Sequence, residues 1–201
     1  MRFLSFLLCW LWAGSALYGQ DFLKHQLESD RVSNARDEKD AMLRQVFAEK
    51  GLSYPSNKLL IRVFKSESVL EVWAKHTDQY VLVKSYEICA MSGALGPKRK
   101  RGDFQVPEGF YVVRDFLKYS SYHLSLKINY PNASDKILKT YSDAGGDICI
   151  HGACGSIGCV AITDDLIKEV YWLAVLARSN GQTDIPVHIF PPASLTPNLP
   201  C

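Results

Sequence analysis

The 201-residue chain is poor in several features that would assign a class at once. Beyond its first dozen residues no apolar run approaches the ~20 residues needed to cross a bilayer. No segment repeats another, so a solenoid or array is excluded. Neither charge sign dominates: Lys and Arg total 23 against 21 Asp and Glu, a formal net charge of +2. That balance excludes a general nucleic-acid binder, which needs a broad basic face. The glycines at 152, 155 and 158 are not followed by the Lys-Ser/Thr that holds a nucleotide phosphate, and no cofactor is expected. No Cys-x2-Cys pair opens a common zinc knuckle, and no metal site is expected. Six cysteines are too few in a chain of this length for a disulfide-stapled miniature scaffold. What the chain does have is ordinary for one packed globular domain: 47% hydrophobic and 22% charged residues.

The first 19 residues carry one cation, Arg2, an apolar run from Phe3 to Trp12, and then small residues from Ala13 to Ala16. This is the pattern of a cleaved secretory signal peptide, and the run is too short for a membrane anchor. Leu8 precedes Cys9 where a lipid-anchoring site would want a small residue. Loss of the segment removes Arg2 and takes the net charge from +2 to +1. The expected location is the periplasm, with no transmembrane segment in the mature chain. Five cysteines remain there: Cys89, Cys149, Cys154, Cys159 and Cys201. An odd number in an oxidising compartment leaves at least one free thiol or an intermolecular pair, and catalysis is one reason to keep a thiol free.

Four segments are expected: signal peptide 1–19, helical lead-in 20–57, catalytic domain 58–191 and extended tail 192–201. In the lead-in, Glu38, Met42 and Val46 with Leu43 and Phe47 follow helical spacing, and Gly51 suits the helix end. From Leu59 the period changes to two. Strands are expected over 59–64, 69–74, 80–91, 110–116, 122–129, 147–151 and 187–190. One strong helix is expected from Asp164 to Arg178, capped by Thr163 or Asp164, with Leu166, Ile167, Val170, Tyr171 and Ala174 on its apolar face. The stretch from Pro191 to Cys201 holds four prolines. The fold class is therefore mainly β with packed helices, an α+β domain.

The chemistry is concentrated in Asp147-Ile-Cys-Ile-His151-Gly-Ala-Cys-Gly-Ser156-Ile-Gly-Cys159-Val-Ala. In an extended strand Cys149 and His151 share one face while Ile148 and Ile150 take the other. A glycine-rich loop can fold back and bring the Cys159 sulfur to the His151 imidazole, which would remove its proton. Backbone N–H groups of Gly158 and Cys159 can converge on an oxyanion. Two other readings compete as chemistry: Cys159 as a buried structural cysteine, which fits equally well, and Cys149, His151, Cys154 and Cys159 as zinc ligands, which fits less well because the spacing is wrong for the common knuckles.

His-Gly followed by Ser-x-Gly-Cys resembles the signature of the L,D-transpeptidase catalytic domain family (YkuD type), bacterial cell-wall enzymes. Lys84 to Gly93 and Pro107-Glu-Gly-Phe-Tyr111 resemble the strands that precede that signature. Ser92-Gly-Ala-Leu-Gly-Pro-Lys98, Gly102-Asp-Phe-Gln, Ser121-Tyr-His-Leu-Ser125, Tyr130-Pro-Asn132 and Ala48-Glu-Lys-Gly-Leu52 with Tyr54-Pro55 resemble one subgroup. In that subgroup Ser-Ile-Gly-Cys-x-Ala replaces Ser-His-Gly-Cys-x-Arg, and Ile157 and Ala161 stand here for the His and Arg. The resemblance implies an L,D-transpeptidase-like β-sandwich with one long helix after the catalytic cysteine. It implies Cys159 as nucleophile, His151 as general acid/base, and Gly158 with Ser156 in the oxyanion turn. Lys98, from the basic run Lys98-Arg-Lys-Arg101, and His123 are candidate substrate contacts.

The implied function is a peptidoglycan-modifying cysteine acyltransferase acting on the diaminopimelate carbonyl of stem peptides. The alternative within the family is a hydrolase that trims stems or releases a wall-linked envelope lipoprotein. A non-catalytic wall-binding module and a zinc-site protein are the other classes. The export segment generates the first prediction: intact-mass measurement of the secreted protein should place its first residue between Leu17 and Asp21. Retention of Met1 in a membrane fraction would overturn this.

Overall fold

The structure is a computed structural model in which residues 19–191 are described. The signal peptide and the extended tail expected from the sequence lie outside the described residues, apart from Gly19. Residues 19–27 form the described part of helix α1, and α2 follows over Asp30–Glu49. Helix α2 buries Val32, Ala35, Leu43 and Phe47, which fall on one face at helical spacing. It ends as the sequence suggests. Gly51 adopts φ +66, its N–H donates to the Ala48 carbonyl at 3.0 Å, and the Leu52 N–H reaches the Phe47 carbonyl at 2.9 Å. This is a Schellman stop, which a residue with a Cβ would strain.

Strands β1 (Leu59–Phe64), β2 (Val69–His76) and β3 (Gln79–Glu87) form an antiparallel meander. Their alternation buries Leu59, Ile61 and Val63 on β1 and Leu70, Val72 and Ala74 on β2. The single strand expected over 80–91 is broken into β3 and β4 (Ala90–Met91). The Ile88 N–H still reaches Ser68, but the Cys89 N–H turns to the Ala161 carbonyl, so the chain changes partners between them. Strand β5 (Gly109–Ser120) is longer than its sequence suggests because it serves two partners. Its first residues pair with β9 (Pro186–Phe190) and its later ones with β6 (His123–Ile128), with register shifts between Val113 and Asp115 and between Leu117 and Ser120. Such irregularities bend a strand and raise its twist.

Strand β9 runs parallel to β1, closing one leaf. On the other, β7 (Cys149–His151) pairs antiparallel with β6 and parallel with β8 (Val160–Ala161), and β4 covers the far edge of β8. The strand order is β3-β2-β1-β9-β5-β6-β7-β8-β4. The two-residue strand β8 and the helix α3 (Ala133–Leu138) are absent from the sequence reading. Helix α3 is one capping box, Asn132 with Asp135, and its Ile137 and Leu138 are exposed, so no apolar face announces it.

Helix α4 (Asp164–Ser179) matches the expected helix, and the Thr163 hydroxyl accepts the Leu166 N–H at 3.4 Å. It is buried on more sides than one apolar stripe requires, Ile167, Val170, Tyr171 and Leu173 among the covered residues. It packs on β6 and β7 with α2 against it. Buried Glu169 receives Lys84 at 2.7 Å, and Asp40 of α2 accepts the Trp172 indole N–H at 2.9 Å and the Tyr54 hydroxyl at 2.6 Å. These polar contacts fix the register of the two helices, because a slip would strand buried donors and acceptors. Among the described residues no helix is long and apolar enough to cross a membrane.

Candidate active site

The cleft follows from strand register. Ser125 opposes His151 and Lys127 opposes Cys149 across β6 and β7, while Leu117 opposes Ser125 and Asp115 opposes Lys127 across β5 and β6. Opposed residues lie side by side on one face. The face therefore carries a row of Asp115, Lys127 and Cys149 beside a row of Leu117, Ser125 and His151. The parallel pairs Ile150 with Val160 and His151 with Ala161 then set the preceding pair, Cys149 and Cys159, next to each other. A pocket of about 760 Å³ stands over this face, with Tyr119, Tyr122, Lys127, Cys149, His151 and Cys159 among its walls. A second pocket of about 330 Å³, lined by Arg101, Phe104, Ile157 and others, reaches Cys159 from the other side.

His151 is 1% exposed, and the Tyr122 ring stacks on its imidazole at 4.5 Å between centroids. Its Nδ1 meets the Gly152 carbonyl, which can only accept, so Nδ1 carries a proton and Nε2 is left for the Cys159 sulfur with which the ring is hydrogen-bonded. The Cys149 backbone N–H donates to Cys159 Sγ at 3.3 Å. The Cys149 thiol, which donates to the Asp147 carbonyl at 3.7 Å, lies beside that sulfur and, with its N–H and with His151, pulls the Cys159 thiol well below its ordinary range against the opposing effect of burial. The same contact and burial push the Cys149 thiol up. Burial would lower His151, but its bonds to Cys159 and the Gly152 carbonyl outweigh that and raise it. Both shifts favour a Cys159 thiolate and a protonated His151, the pairing in which a cysteine is reactive.

The loop between these residues is pinned along its length. The Gly152 N–H donates to the Leu124 carbonyl at 3.2 Å, and the Ala153 N–H donates to Asp164 at the start of α4 at 2.7 Å. Cys154 is bonded to Cys89, 65 residues away, a link the sequence reading left unassigned. Closing a loop of that length contributes roughly 4 kcal/mol in the chain-entropy account. It also takes Cys154 out of the four-ligand zinc set considered from sequence. Cys149 and Cys159 are the free thiols among the described residues.

The turn at 156–159 is present, with its donors already engaged. The Ser156 hydroxyl accepts the Gly158 N–H at 3.2 Å and the Cys159 N–H at 3.0 Å and donates to the Cys159 carbonyl at 2.7 Å. Gly158 adopts φ +129, and a Cβ there would meet the Gln105 carbonyl at 3.2 Å.

Two residues expected to contact substrate lie off the main pocket. Lys98 is 4% exposed beneath the smaller pocket, and its ammonium is bonded to Asp103 and to the Lys100 carbonyl. Its task there is to hold the 98–105 loop, not to offer a charge at the cleft rim. The main pocket is instead lined by Lys127, paired with Asp147 at 2.6 Å, and by Lys118, paired with Glu28 at 2.9 Å. His123 would face the cleft if strand alternation from Ser125 and Lys127 continued. Its φ of +65 breaks that alternation, and the charges around it are Asp164 and Lys168 of α4 and Arg31 and Glu38 of α2. Tyr122 takes the place over His151 instead. Tyr122 and Lys127 carried no separate signal in the sequence; the alternation that aligns Cys149 with His151 did, without naming a role for Cys149.

With the site described, the chain can be placed among known proteins. Residues 58–189 match the family model of the L,D-transpeptidase catalytic domain (YkuD). The chain belongs to that family. YafK of Escherichia coli (strain K12), a candidate L,D-transpeptidase by its name, is 43% identical over 133 residues, 65% of this chain and 53% of YafK. YafK of Escherichia coli O157:H7 matches to the same extent. The chain thus spans about half the length of the curated relatives it matches. Among solved structures, the helical cell shape determining protein Pgp2 of Campylobacter jejuni superposes with a TM-score of 0.54 at 22% identity, over 67% of this chain and 48% of Pgp2. That likeness shows the α+β fold.

Two predictions follow from the electrostatics. Burial alone would raise Asp103, but Lys98 and the N–H groups of Arg99, Lys100 and Gln105 bring it down to about 2. A depressed carboxyl stabilises the fold above its unfolded value and ceases to as pH falls through the folded one. Asp103→Asn should therefore cost roughly 2 kcal/mol in urea unfolding at neutral pH and little near pH ~2. The second concerns Cys159, whose carboxamidomethylation rate should hold up well below the ~8.5 of an ordinary thiol. In His151→Ala the onset of reaction should move upward in pH. An unmoved profile would remove His151 from the pair.

Proposed function

We propose that the chain is a cysteine acyltransferase that acts on peptidoglycan stem peptides in the periplasm. The observation that carries this reading is the Cys159 sulfur, paired with His151 and open to a pocket on either side. In the proposed reaction the thiolate adds to the diaminopimelate carbonyl at its L-centre. Nε2 of the His151 imidazolium then gives its proton to the leaving amine, and a thioester remains on Cys159. An acceptor entering from the other side gives its proton back to His151 and attacks the thioester carbonyl, and the thiolate leaves. The Gly158 and Cys159 N–H groups are the oxyanion donors of this scheme. Ser156 must turn aside to free them, and Ser92 Oγ, 3.4 Å from its hydroxyl, is the partner to which it turns.

The acceptor decides the outcome. An amine of another stem gives a cross-link, a lysine of an envelope lipoprotein gives a tether, and water gives hydrolysis. The family membership and the site chemistry support the thioester common to all three.

Purified protein should be incubated with defined muropeptides, with and without an added amine, and the products read by mass spectrometry. The expected result is cleavage at the diaminopimelate carbonyl, with transfer to the amine when it is present; hydrolysis alone would mark the hydrolase. His151→Ala should turn over at least about a hundredfold more slowly. Cys159→Ser should be inactive, because the hydroxyl's far higher pKa exceeds what this imidazole activates. Parent-level turnover by Cys159→Ser, or no turnover of any stem by the parent, would overturn the proposal.

A further inference from the structure

No bond is made or broken at the Cys149 thiol in the acyl transfer just described, yet the fold sets that thiol against the nucleophile. The parallel register of β7 and β8 pairs Ile150 with Val160, so Cys149 and Cys159 stand one residue before the first pair, where the two strands are spaced about 4.8 Å apart. That spacing lies inside the Cα separation of about 4.4–6.8 Å that a disulfide requires. The Cys159 sulfur is 3.3 Å from the Cys149 backbone nitrogen, and the Asp147 carbonyl oxygen lies 3.7 Å from both sulfurs. The other two described cysteines are already joined to each other, so neither competes for this pairing. Both free thiols line the main pocket, which is wide enough to admit a small oxidant.

We infer that Cys149 is the resolving thiol of Cys159: a peroxide oxidises the nucleophile, and Cys149 captures the product as a reversible Cys149–Cys159 disulfide. In the first step the Cys159 thiolate attacks one peroxide oxygen, the O–O bond breaks, and the sulfur becomes a sulfenic acid as water leaves after proton uptake. In the second the Cys149 sulfur attacks the sulfenic sulfur, the S–O bond breaks, a second water leaves and the disulfide forms. A dithiol reductant returns both thiols. The consequence is protection, since without a neighbouring thiol a second peroxide carries Cys159 to the irreversible sulfinic acid. The inference rests on Cys159 being the reactive cysteine of the proposed site.

The test uses the full chain and reads mass and thiol titre, not turnover. Protein treated with hydrogen peroxide is alkylated without reduction, digested and mapped by fragmentation. In the parent, the segment from 140 to 168, recovered linked through Cys154 to the segment that holds Cys89, should be lighter by two hydrogens and unalkylated at both Cys149 and Cys159. Dithiothreitol should restore alkylation at both. Cys149→Ser, and Cys149→Ala beside it, should instead carry sulfinic acid at Cys159 and lose the recovery. The inference is overturned if the parent also goes to sulfinic acid without the internal link, or if both variants recover the Cys159 thiol as fully as the parent. Failure of the nucleophile reading would show separately, as parent-level turnover in Cys159→Ser while the disulfide still forms.

Discussion

The site depends on the parallel pairing of β7 with β8, two residue pairs that place the Cys159 sulfur against His151. So short a ladder has little stability of its own, and the surrounding structure holds it from both sides. The Ile162 N–H continues it to the His151 carbonyl at 2.9 Å, and the Cys89 N–H reaches the Ala161 carbonyl at 2.9 Å from the strand on the other side. The Cys89–Cys154 bond then ties that outer strand back to the loop that β7 and β8 share. Ile150, Val160 and Ile162, each 1% exposed or less, fill the core beneath. Local geometry that the backbone could not keep alone is thus fixed by long-range contacts.

An ion pair in such a place is costly, because burial opposes charge on both the sulfur and the imidazole. The chain offsets that cost with dipoles that do not have to reorganise. The Cys149 N–H points at the sulfur and the Gly152 carbonyl at Nδ1. Each is a backbone group of a pinned segment, so the donor and the acceptor stay aimed whether or not the cleft is occupied. Tyr122 covers the imidazole, which limits water to the open side of the pocket.

How much of this was legible in the sequence depended on whether a signal was local. Period-two alternation placed β1, β2 and β9, and α4 is capped by Thr163 with Arg178 in its last turn, as the sequence suggested. The glycine-rich loop after a strand end brought His151 and Cys159 together on paper, but only the resemblance of His-Gly and Ser-x-Gly-Cys to a family signature singled them out. The break at Ile88–Cys89 was not legible, because it arises when the chain exchanges one hydrogen-bond partner for another far away in sequence. The Cys89–Cys154 bond is of the same kind. Lys98 was misplaced as a rim cation because a basic run looks solvated until the partner that buries it, Asp103, is folded onto it. His123 was misplaced because one positive φ undid the alternation, and nothing in Ser121-Tyr-His-Leu-Ser125 shows where that falls.

Cys149 and Cys159 share a wall, a carbonyl neighbour and an apolar floor, and yet only one becomes the thiolate. The difference lies in the backbone. Cys149 is inside a strand whose N–H points sideways at its neighbour, so it gives a hydrogen bond and receives none in return. Cys159 stands at the exit of a turn, where it meets that N–H and the free nitrogen of the imidazole together. Negative charge settles where donors converge, and the proton stays on the sulfur that donates. The parallel register that makes the two cysteines neighbours therefore also makes them unequal, and the asymmetry would persist if their surroundings were equally dry.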